Sequence, residues 1–239
     1  MFKEYTTSIH QLIDEFSQTQ ENNLKEIAKI IVNKIKNGGK FYAVGTGHSH
    51  MVGEEFYARA GGLACVQLIA PMELTLGEHP LKSTQIERIE DYAKVILMQY
   101  KVKAGDVLLI CSNSGRNGMP VELANECRKQ SITTIAFTNI KHSSSVTSRH
   151  HSGKNLYEVC DYVIDNCGEI GDAFMDVEGV KGKMGSSSSL IGMFMAQSLS
   201  MMIAHELHLQ GIVPPVFISA NVDEGDNWNQ KIMEEYYHI

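Results

Sequence analysis

The sequence predicts an α/β fold, a doubly wound five-stranded parallel sheet in the flavodoxin-like order with a long N-terminal helix. Three observations predict it. Short apolar runs alternate with helical patterns along the chain. These runs lack the polar alternation of half-exposed strands, and apolar residues recur at three- and four-residue spacing through the first 37 residues. We therefore expect strands that are buried on both faces between layers of helices.

The order of the elements follows from the same patterns. The N-terminal helix ends at Asn37-Gly38-Gly39, because glycine readily adopts the conformation that terminates helices. The predicted strands cover residues 41–44, 64–69, 107–111, 133–137 and 162–164. The predicted helices cover residues 49–60, 84–100, 119–130 and 187–209, with a last short helix from about residue 228.

Size and composition predict a single domain over residues 1–239, with a helical extension over 1–38 and a C-terminal tail over 211–239. A net charge of −7 without a run of lysine or arginine argues against a nucleic-acid partner, which would require a basic surface. The N-terminus does not resemble a signal peptide, and polar residues interrupt the longest apolar stretch, so we expect no membrane partner. Five scattered cysteines without a C-x-x-C pair fit a reducing cytoplasm.

Two loops carry the candidate binding chemistry. In a doubly wound sheet of order 2-1-3-4-5, ligands bind where the strand order reverses, beyond the carboxyl ends of the first and third strands. The segments that leave these two strands are rich in glycine and hydroxyl groups, and each leads into a helix: Gly45-Thr46-Gly47-His48-Ser49-His50 and Ser112-Asn113-Ser114-Gly115-Arg116-Asn117-Gly118.

These loops are typical of an anion site. Glycine allows backbone N–H groups to approach a ligand closely, and a helix N-terminus offers free N–H donors and partial positive charge. A third element of this kind, 185–189, begins the long helix near the C-terminus. We expect a phosphate or sugar to be bound by Gly47, His48, Ser49, Ser112, Asn113, Ser114, Asn117, Ser187 and Ser188. For any single loop, an ordinary turn or helix cap is an equally good interpretation.

Nucleotide-binding motifs are incomplete. The pattern Gly45-x-Gly47 has His50 where the dinucleotide fingerprint requires a glycine, and no acidic residue follows the second strand. No Gly-Lys-Ser/Thr follows either loop, so the phosphate-binding loop of nucleotide hydrolases is not matched. We expect no cofactor.

At these loops the sequence resembles the sugar isomerase (SIS) domain family, which has G-x-G-x-S after the first strand and S-x-S-G-x-[TSN] after the third. The segments 45–49 and 112–117 match both motifs, and the long N-terminal helix is similar to that of phosphoheptose isomerases. The stretches 112–124 and 217–226 resemble an uncharacterised bacterial branch of the family.

The resemblance implies a phosphate held by Ser49, Ser112, Ser114, Asn117 and one or two of the serines 187–189, in a homodimer or homotetramer. It implies a sugar-phosphate isomerase or a lyase that removes a proton next to a carbonyl. The alternative is a non-catalytic sugar-phosphate sensor.

The catalytic base is left open. Isomerase and etherase members carry a glutamate on the helix after the first loop, where this chain has Ala58 and Arg59. The candidates are therefore Glu87, Glu55, His205 and Glu206, each of which has a solvated helix face or helix terminus as its alternative explanation. Histidines 50, 205 and 208 are weighed as a zinc site, but no metal site is assigned. The segments 165–166 and 221–226 are further polar candidates near the cleft.

Overall fold

The computed structural model describes residues 1–79, 81–222 and 225–237. Its central sheet has five parallel strands in the order β2-β1-β3-β4-β5, which confirms the predicted fold class. The strands are β1 (Phe41–Gly45), β2 (Val66–Ile69), β3 (Val107–Cys111), β4 (Thr133–Thr138) and β5 (Tyr162–Asp165). The order reverses between β1 and β3, where the two predicted loops leave the sheet.

Helices cover both sides of this sheet. They are α1 (Phe2–Lys36), α2 (His50–Phe56), α3 (Lys82–Ile86), α4 (Tyr92–Tyr100), α5 (Gly118–Lys129), α6 (Ile140–Ser144), α7 (Ser188–Leu209) and α8 (Gly225–Tyr237). Helix α1 ends where the sequence predicts, and Gly38 follows it with a φ of +85°.

Alternate residues of each central strand enter two separate cores. In β1, Phe41 and Ala43 pack with α1, α2 and α7, whereas Tyr42 and Val44 pack with α4 and α5 on the opposite face. Because side chains alternate across a strand and both faces are covered by helices, every position of β1 and β3 is buried. This double burial explains the absence of polar alternation in the sequence.

Helix α7 is the central helix of one core. Length and composition alone would allow it to cross a membrane, with a mean hydropathy of 1.2 over its most apolar window, and it alone meets that test among the described residues. In the fold it packs between α1 and α2. Gly192 permits the close approach to α2, because a Cβ atom there would lie 2.6 Å from Val52 Cγ2.

Tertiary contacts shorten two predicted helices. The helix predicted over 84–100 is divided into α3 and α4 by a connector, residues 87–91. The backbone oxygen of Glu87 accepts from the N–H of Met119 at 2.9 Å, so this connector is held against the start of α5. The helix predicted over 49–60 ends at Phe56, since Tyr57 is extended and Ala58 is left-handed with a φ of 46°.

The sequence did not predict a two-stranded antiparallel hairpin, β6 (Ala173–Asp176) and β7 (Lys183–Ser186). Its strand residues are half-buried or exposed, so the sequence has no apolar run that would predict these strands. The ring of Phe174 stacks on Tyr5 of α1 at a centroid distance of 5.8 Å. The hairpin is therefore anchored to the N-terminal helix rather than to the sheet.

Gly45 gives a direct test of how tightly the first loop is folded. A Cβ atom at this position would lie 2.2 Å from the backbone oxygen of Ser49, and a backbone atom cannot move away cheaply. We expect Gly45→Ala to lower the free energy of unfolding by about 1–3 kcal/mol in denaturant titrations. Gly77→Ala is the matched control, because its Cβ would meet only ordinary contacts at 3.5 and 3.6 Å. Equal stability of the two variants would contradict this loop geometry.

Candidate functional site

The two predicted loops leave the sheet side by side. Gly45 and Cys111 are the last paired residues of β1 and β3, so residues 46–49 and 112–117 emerge from neighbouring strands at the switch point. The first loop turns through a short 3-10 segment, Gly47–Ser49, directly into α2. The second loop leads into α5.

The second loop is a compact turn fixed by its own hydrogen bonds. Ser112 Oγ accepts from the N–H of Gly115 at 3.3 Å, and Gly115 has a φ of +58°. Thr138 Oγ1, at the end of β4, donates to the backbone oxygen of Asn113 at 3.2 Å. The loop is therefore shaped without a ligand, and the Ser112 hydroxyl takes part in that shaping.

A small cavity joins both loops to the start of α7. Val52 and Phe137 supply its apolar wall. Its polar residues come from all three predicted elements and from the end of β5: His48, Ser49, Asn113, Asn166, Ser188 and Ser189. The structure thus brings four of the predicted binding residues around one space.

Two serine hydroxyls at this end of the sheet have no protein partner. Within residues 1–79, 81–222 and 225–237, no hydrogen bond is made by the side chains of Ser49 or Ser114. Since a hydroxyl donor gains most from an acceptor that is charged, both groups are suited to the oxygens of an anionic ligand.

Asn166 orients one of the predicted binding residues. It is 1% exposed, and its Nδ2 donates to Asn113 Oδ1 at 2.7 Å, while its own Oδ1 accepts from the N–H of Gly168 at 2.9 Å. Asn113 lines the cavity, and its amide nitrogen makes no hydrogen bond among the described residues. The sequence marked residues 165–166 only as a polar end of the fifth strand.

Glu87 connects the two loops. Its Oε2 accepts from Thr46 Oγ1 at 2.6 Å, and its Oε1 accepts from Asn117 Nδ2 at 2.8 Å. Burial raises the pKa of the Glu87 carboxyl above its usual value, against the hydrogen bond from Thr46 and the positive charges of Arg88 and Arg149. Of the four candidate bases, this carboxylate is the one in contact with both loops.

The charges of two arginines, 88 and 149, act on this carboxylate, and a third arginine lies beside Asn117 in the chain. Arg88 follows Glu87 in the chain, Arg116 precedes Asn117, and Arg149 Nη1 donates to Asn117 Oδ1 at 2.8 Å. None of the three forms an ion pair with a carboxylate among the residues that the structure describes. The Nε of Arg116 is buried without a partner. Positive charge is therefore available beside a group that can accept a proton.

Comparison with known proteins agrees with this arrangement. The family described as SIS domain matches residues 4–139 of the chain. The chain belongs to the SIS domain family. A UPF0309 protein from Halalkalibacterium halodurans is 47% identical over 235 residues, covering 98% of this chain and 97% of the relative. The resemblance inferred from the two loop motifs is thus confirmed.

Two solved structures share the fold of this SIS chain. A phosphoheptose isomerase from Neisseria gonorrhoeae has a TM-score of 0.58 at 15% identity, over 85% of this chain and 97% of that one. The Vibrio vulnificus NanR protein, complexed with ManNAc-6P, has a TM-score of 0.50 at 13% identity, over 99% of this chain and 68% of that one. At such identities the likeness establishes the fold.

Glu55 of the SIS chain is held by other side chains. It lies on α2, where its Oε1 accepts from Arg59, three residues beyond the end of that helix, and from Gln197 Nε2 of α7 at 2.7 Å. None of these contacts involves the two loops. Glu55 therefore links α2 to α7 in the described structure, and Glu87 is the better-placed base.

His205 and Glu206, the other two candidate bases, lie far from the loops within one chain. They lie 17 and 18 residues after Ser188 on the same helix, a separation of about 25 Å at the helical rise. They line a groove between α7 and α1 together with Lys25 and Met201. Of the further polar candidates in the tail, Asp223 and Glu224 lie outside the described residues.

An internal carboxylate engages two of the predicted phosphate-binding serines. Asp172 Oδ1 accepts from the N–H groups of Ser187 and Ser188 at 3.1 and 2.8 Å. Its Oδ2 accepts from the hydroxyls of Ser186 and Ser188 at 2.6 and 3.0 Å. The Ser187 hydroxyl donates to Asp172 as well, so the anion position at the start of α7 is already filled.

No local pattern in the sequence pointed to Asp172, because this residue meets α7 only through the unpredicted hairpin. Burial raises the pKa of Asp172, but the hydrogen bonds from Ser186, Ser187 and Ser188 outweigh it and hold the pKa below its usual value. For Ser187 and Ser188 we therefore correct the prediction. Their first partner is this carboxylate, and Ser189 is the cavity serine next to them without a hydrogen bond among the described residues.

Asp172 should stabilise the folded state through these bonds. Asp172→Asn keeps a side chain that tolerates the left-handed backbone, here with a φ of 72°, but it replaces one acceptor oxygen. We expect a loss of about 1–2 kcal/mol in the free energy of unfolding at neutral pH. Asp176→Asn, an exposed change in the same hairpin, should stay within about 0.5 kcal/mol.

The difference in the free energy of unfolding between wild type and Asp172→Asn should shrink as the pH falls. Because the pKa of folded Asp172 is lowered, its contribution is present above the pKa of the unfolded chain and disappears as the pH falls through the folded pKa. Denaturant titrations of both variants between pH 7 and pH 3 measure this. A gap between Asp172→Asn and wild type that widened on acidification would contradict the assignment.

Proposed function

We propose that this protein binds a phosphorylated sugar between the loops after β1 and β3 and isomerises or cleaves it by removing a proton next to a carbonyl. One observation carries the proposal. The unpartnered hydroxyls of Ser49 and Ser114 lie on the two loops that Glu87 connects, and the pKa of Glu87 is raised. Hydrogen-bond donors suited to an anion and a candidate base therefore occupy the same end of the sheet.

Phosphate binding rests on neutral donors supported by nearby cations. Ser49, Ser114 and the backbone N–H groups of the second loop would donate to phosphate oxygens at the start of α5. Arg149 is exposed and already oriented by Asn117, so it can approach a ligand anion without losing a carboxylate partner. Among the compared structures, the NanR protein is complexed with ManNAc-6P, which supports a sugar phosphate as the ligand.

Glu87 would act as the general base. A carboxylate whose pKa is raised is, once ionised, a stronger base than an ordinary glutamate. It would take a proton from the carbon beside the substrate carbonyl and leave an enediolate, whose oxygen could accept from Arg149. Return of that proton to the neighbouring carbon gives the isomer, whereas loss of a β-substituent gives elimination.

The alternative function is a sugar-phosphate sensor without turnover. It is favoured by the two hydrogen bonds that Glu87 already accepts, and by Ala58 and Arg59 at the positions where family enzymes carry a glutamate. Under this alternative, Glu87 serves only to join the two loops. The phosphoheptose isomerase that shares the fold supports the enzyme, and the NanR complex with ManNAc-6P is compatible with both functions.

A homo-oligomer is part of the proposal. On α7, the side chains of Leu190, Phe194 and Met201 are 42%, 36% and 66% exposed, although they recur along one side of the central helix. An apolar stripe of this kind on a core helix is typical of a surface that packs against a second subunit.

Ligand-dependent thermal unfolding tests the binding proposal. Phosphorylated pentoses, hexoses and heptoses are compared with the matching sugars that lack the phosphate, and NAD is included because the dinucleotide fingerprint is incomplete. We expect stabilisation by phosphorylated sugars alone, of about 2.7 kcal/mol at 100 times the Kd. Stabilisation by NAD, or by sugars irrespective of phosphate, would refute the site.

Two serine variants then locate the phosphate. Ser49→Ala and Ser114→Ala should each weaken the best ligand by about tenfold or more, since a hydrogen bond to a charged group contributes about 1.5–3 kcal/mol. Ser144→Ala is the control, because this exposed serine on α6 hydrogen-bonds only within its own turn. Unchanged affinity in both loop variants would show that the phosphate does not bind at these two serines.

Replacement of the base separates the enzyme from the sensor. Glu87→Gln should lower kcat/KM by about 100- to 10,000-fold with ligand affinity retained, whereas a sensor has no turnover to lose. In the wild type, kcat/KM should fall as the pH drops through the raised pKa of Glu87. Thr46→Val removes the hydrogen bond that lowers this pKa, so its acid limb should move to higher pH.

Glu26→Gln, on the exposed side of α1, is the matched control and should leave both turnover and pH profile unchanged. A Glu87→Gln protein with wild-type turnover would exclude this residue as the base.

A further inference from the structure

A second polar cluster lies outside the serine loops. Glu90 Oε2 is 2.6 Å from His151 Nδ1 and 3.8 Å from His150 Nε2. The three side chains each offer one ligand atom, and these atoms all lie within 4.8 Å of one another. Glu122 Oε2 is 2.8 Å from His150 Nε2, which adds a second carboxylate to the cluster.

The cluster is assembled from three separate segments. Glu90 comes from the connector between α3 and α4, Glu122 from α5, and the two histidines from the loop that precedes β5. His150 and Glu122 are only 4% and 8% exposed. Burial of an imidazole against two carboxylates is unfavourable unless the groups are mutually satisfied, so their convergence needs an explanation.

We propose that Glu90, His150 and His151 bind one divalent transition-metal ion beside Glu122, with Zn²⁺ as the ion that fits best and water as the fourth ligand. Imidazole nitrogen and carboxylate oxygen are both Zn²⁺ ligands, and Mg²⁺ and Ca²⁺ favour sites made of oxygen alone. With bonds of about 2.0–2.2 Å, a tetrahedral ion holds its ligand atoms about 3.4 Å apart. The separations of Glu90 Oε2 from His151 Nδ1 and His150 Nε2, 2.6 and 3.8 Å, lie on both sides of that value.

Neighbouring groups orient two of these ligands. The backbone N–H of His151 donates to Glu90 Oε1 at 2.9 Å, which leaves Oε2 for the ion. Ser152 Oγ lies 2.7 Å from His150 Nδ1. Binding of the ion at His150 Nε2 requires the single proton of the neutral imidazole to reside on Nδ1, where Ser152 Oγ accepts it. The backbone N–H of Ser152, 3.1 Å from Nδ1, then loses that acceptor.

The ion would hold together the segments around the candidate base. Glu90 is three residues after Glu87 in the same connector, and a Cβ atom on Gly118 would lie 2.7 Å from Glu90 Cγ. The connector therefore touches the first turn of α5, next to Asn117. Metal binding itself requires no sugar, so its test is independent of the proposed function.

The experiment uses the full chain after dialysis against a chelator. Equilibrium dialysis with Zn²⁺ and elemental analysis should give one bound ion per chain, and Co²⁺ should give the visible absorption of a four-coordinate nitrogen and oxygen site. At 100 times the Kd, the midpoint of thermal unfolding should rise by about 5–10 °C.

Variants decide whether these residues are the ligands. His151→Ala and Glu90→Gln change partly or largely exposed side chains, and each should weaken Zn²⁺ binding at least about 10- to 100-fold. The metal-free His151→Ala protein should unfold within a few degrees of the metal-free wild type, which excludes a folding defect. His10→Ala, an exposed histidine on α1, is the control and should bind like the wild type.

Less than one ion per chain would overturn the proposal. So would affinity that is unchanged in both ligand variants, which would leave the cluster as a hydrogen-bonded link between loops.

Discussion

The parallel pairing of β1 with β3 is the constraint on which the site depends. The two strands are in register to their last residues, Gly45 and Cys111, and both are buried on each face. Their following segments must therefore emerge side by side, with one leading to α2 on one face and the other to α5 on the opposite face. The switch point places the Ser49 loop and the Ser114 loop around a common space before any loop side chain makes a contact.

Carboxylates complete this end of the protein. Glu87 accepts from Thr46 and Asn117, and Asp172 accepts from the serines at the start of α7. Both side chains satisfy donors that would otherwise face an anion, so these donors are committed in the structure. The unpartnered hydroxyls of Ser49 and Ser114 are consequently the most informative donors for an external ligand.

The sequence predicted what local patterns determine. Buried strands, the end of α1 at Asn37 and the two loop motifs each have a signature within a few residues. The hairpin 173–186, the division of helix 84–100 and the contacts of Asp172 have none, because they depend on segments far apart in the chain. The distance of His205 from the loops is likewise non-local information, since spacing along α7 shows which residues share a face but not which end of the helix meets the loops.

Charge around Glu87 links binding to basicity. The chain carries a net charge of −7, yet Arg88 and Arg149 lie close enough to Glu87 to lower its pKa against the effect of burial. A phosphate bound near these guanidinium groups would offset their charge and weaken that opposition. Burial would then raise the pKa of Glu87 with less opposition from positive charge. The carboxylate would become a stronger base when substrate is present. Under the proposed function, the arginines thus attract the anion in the free protein, and in the complex they no longer lower the pKa of Glu87 as strongly.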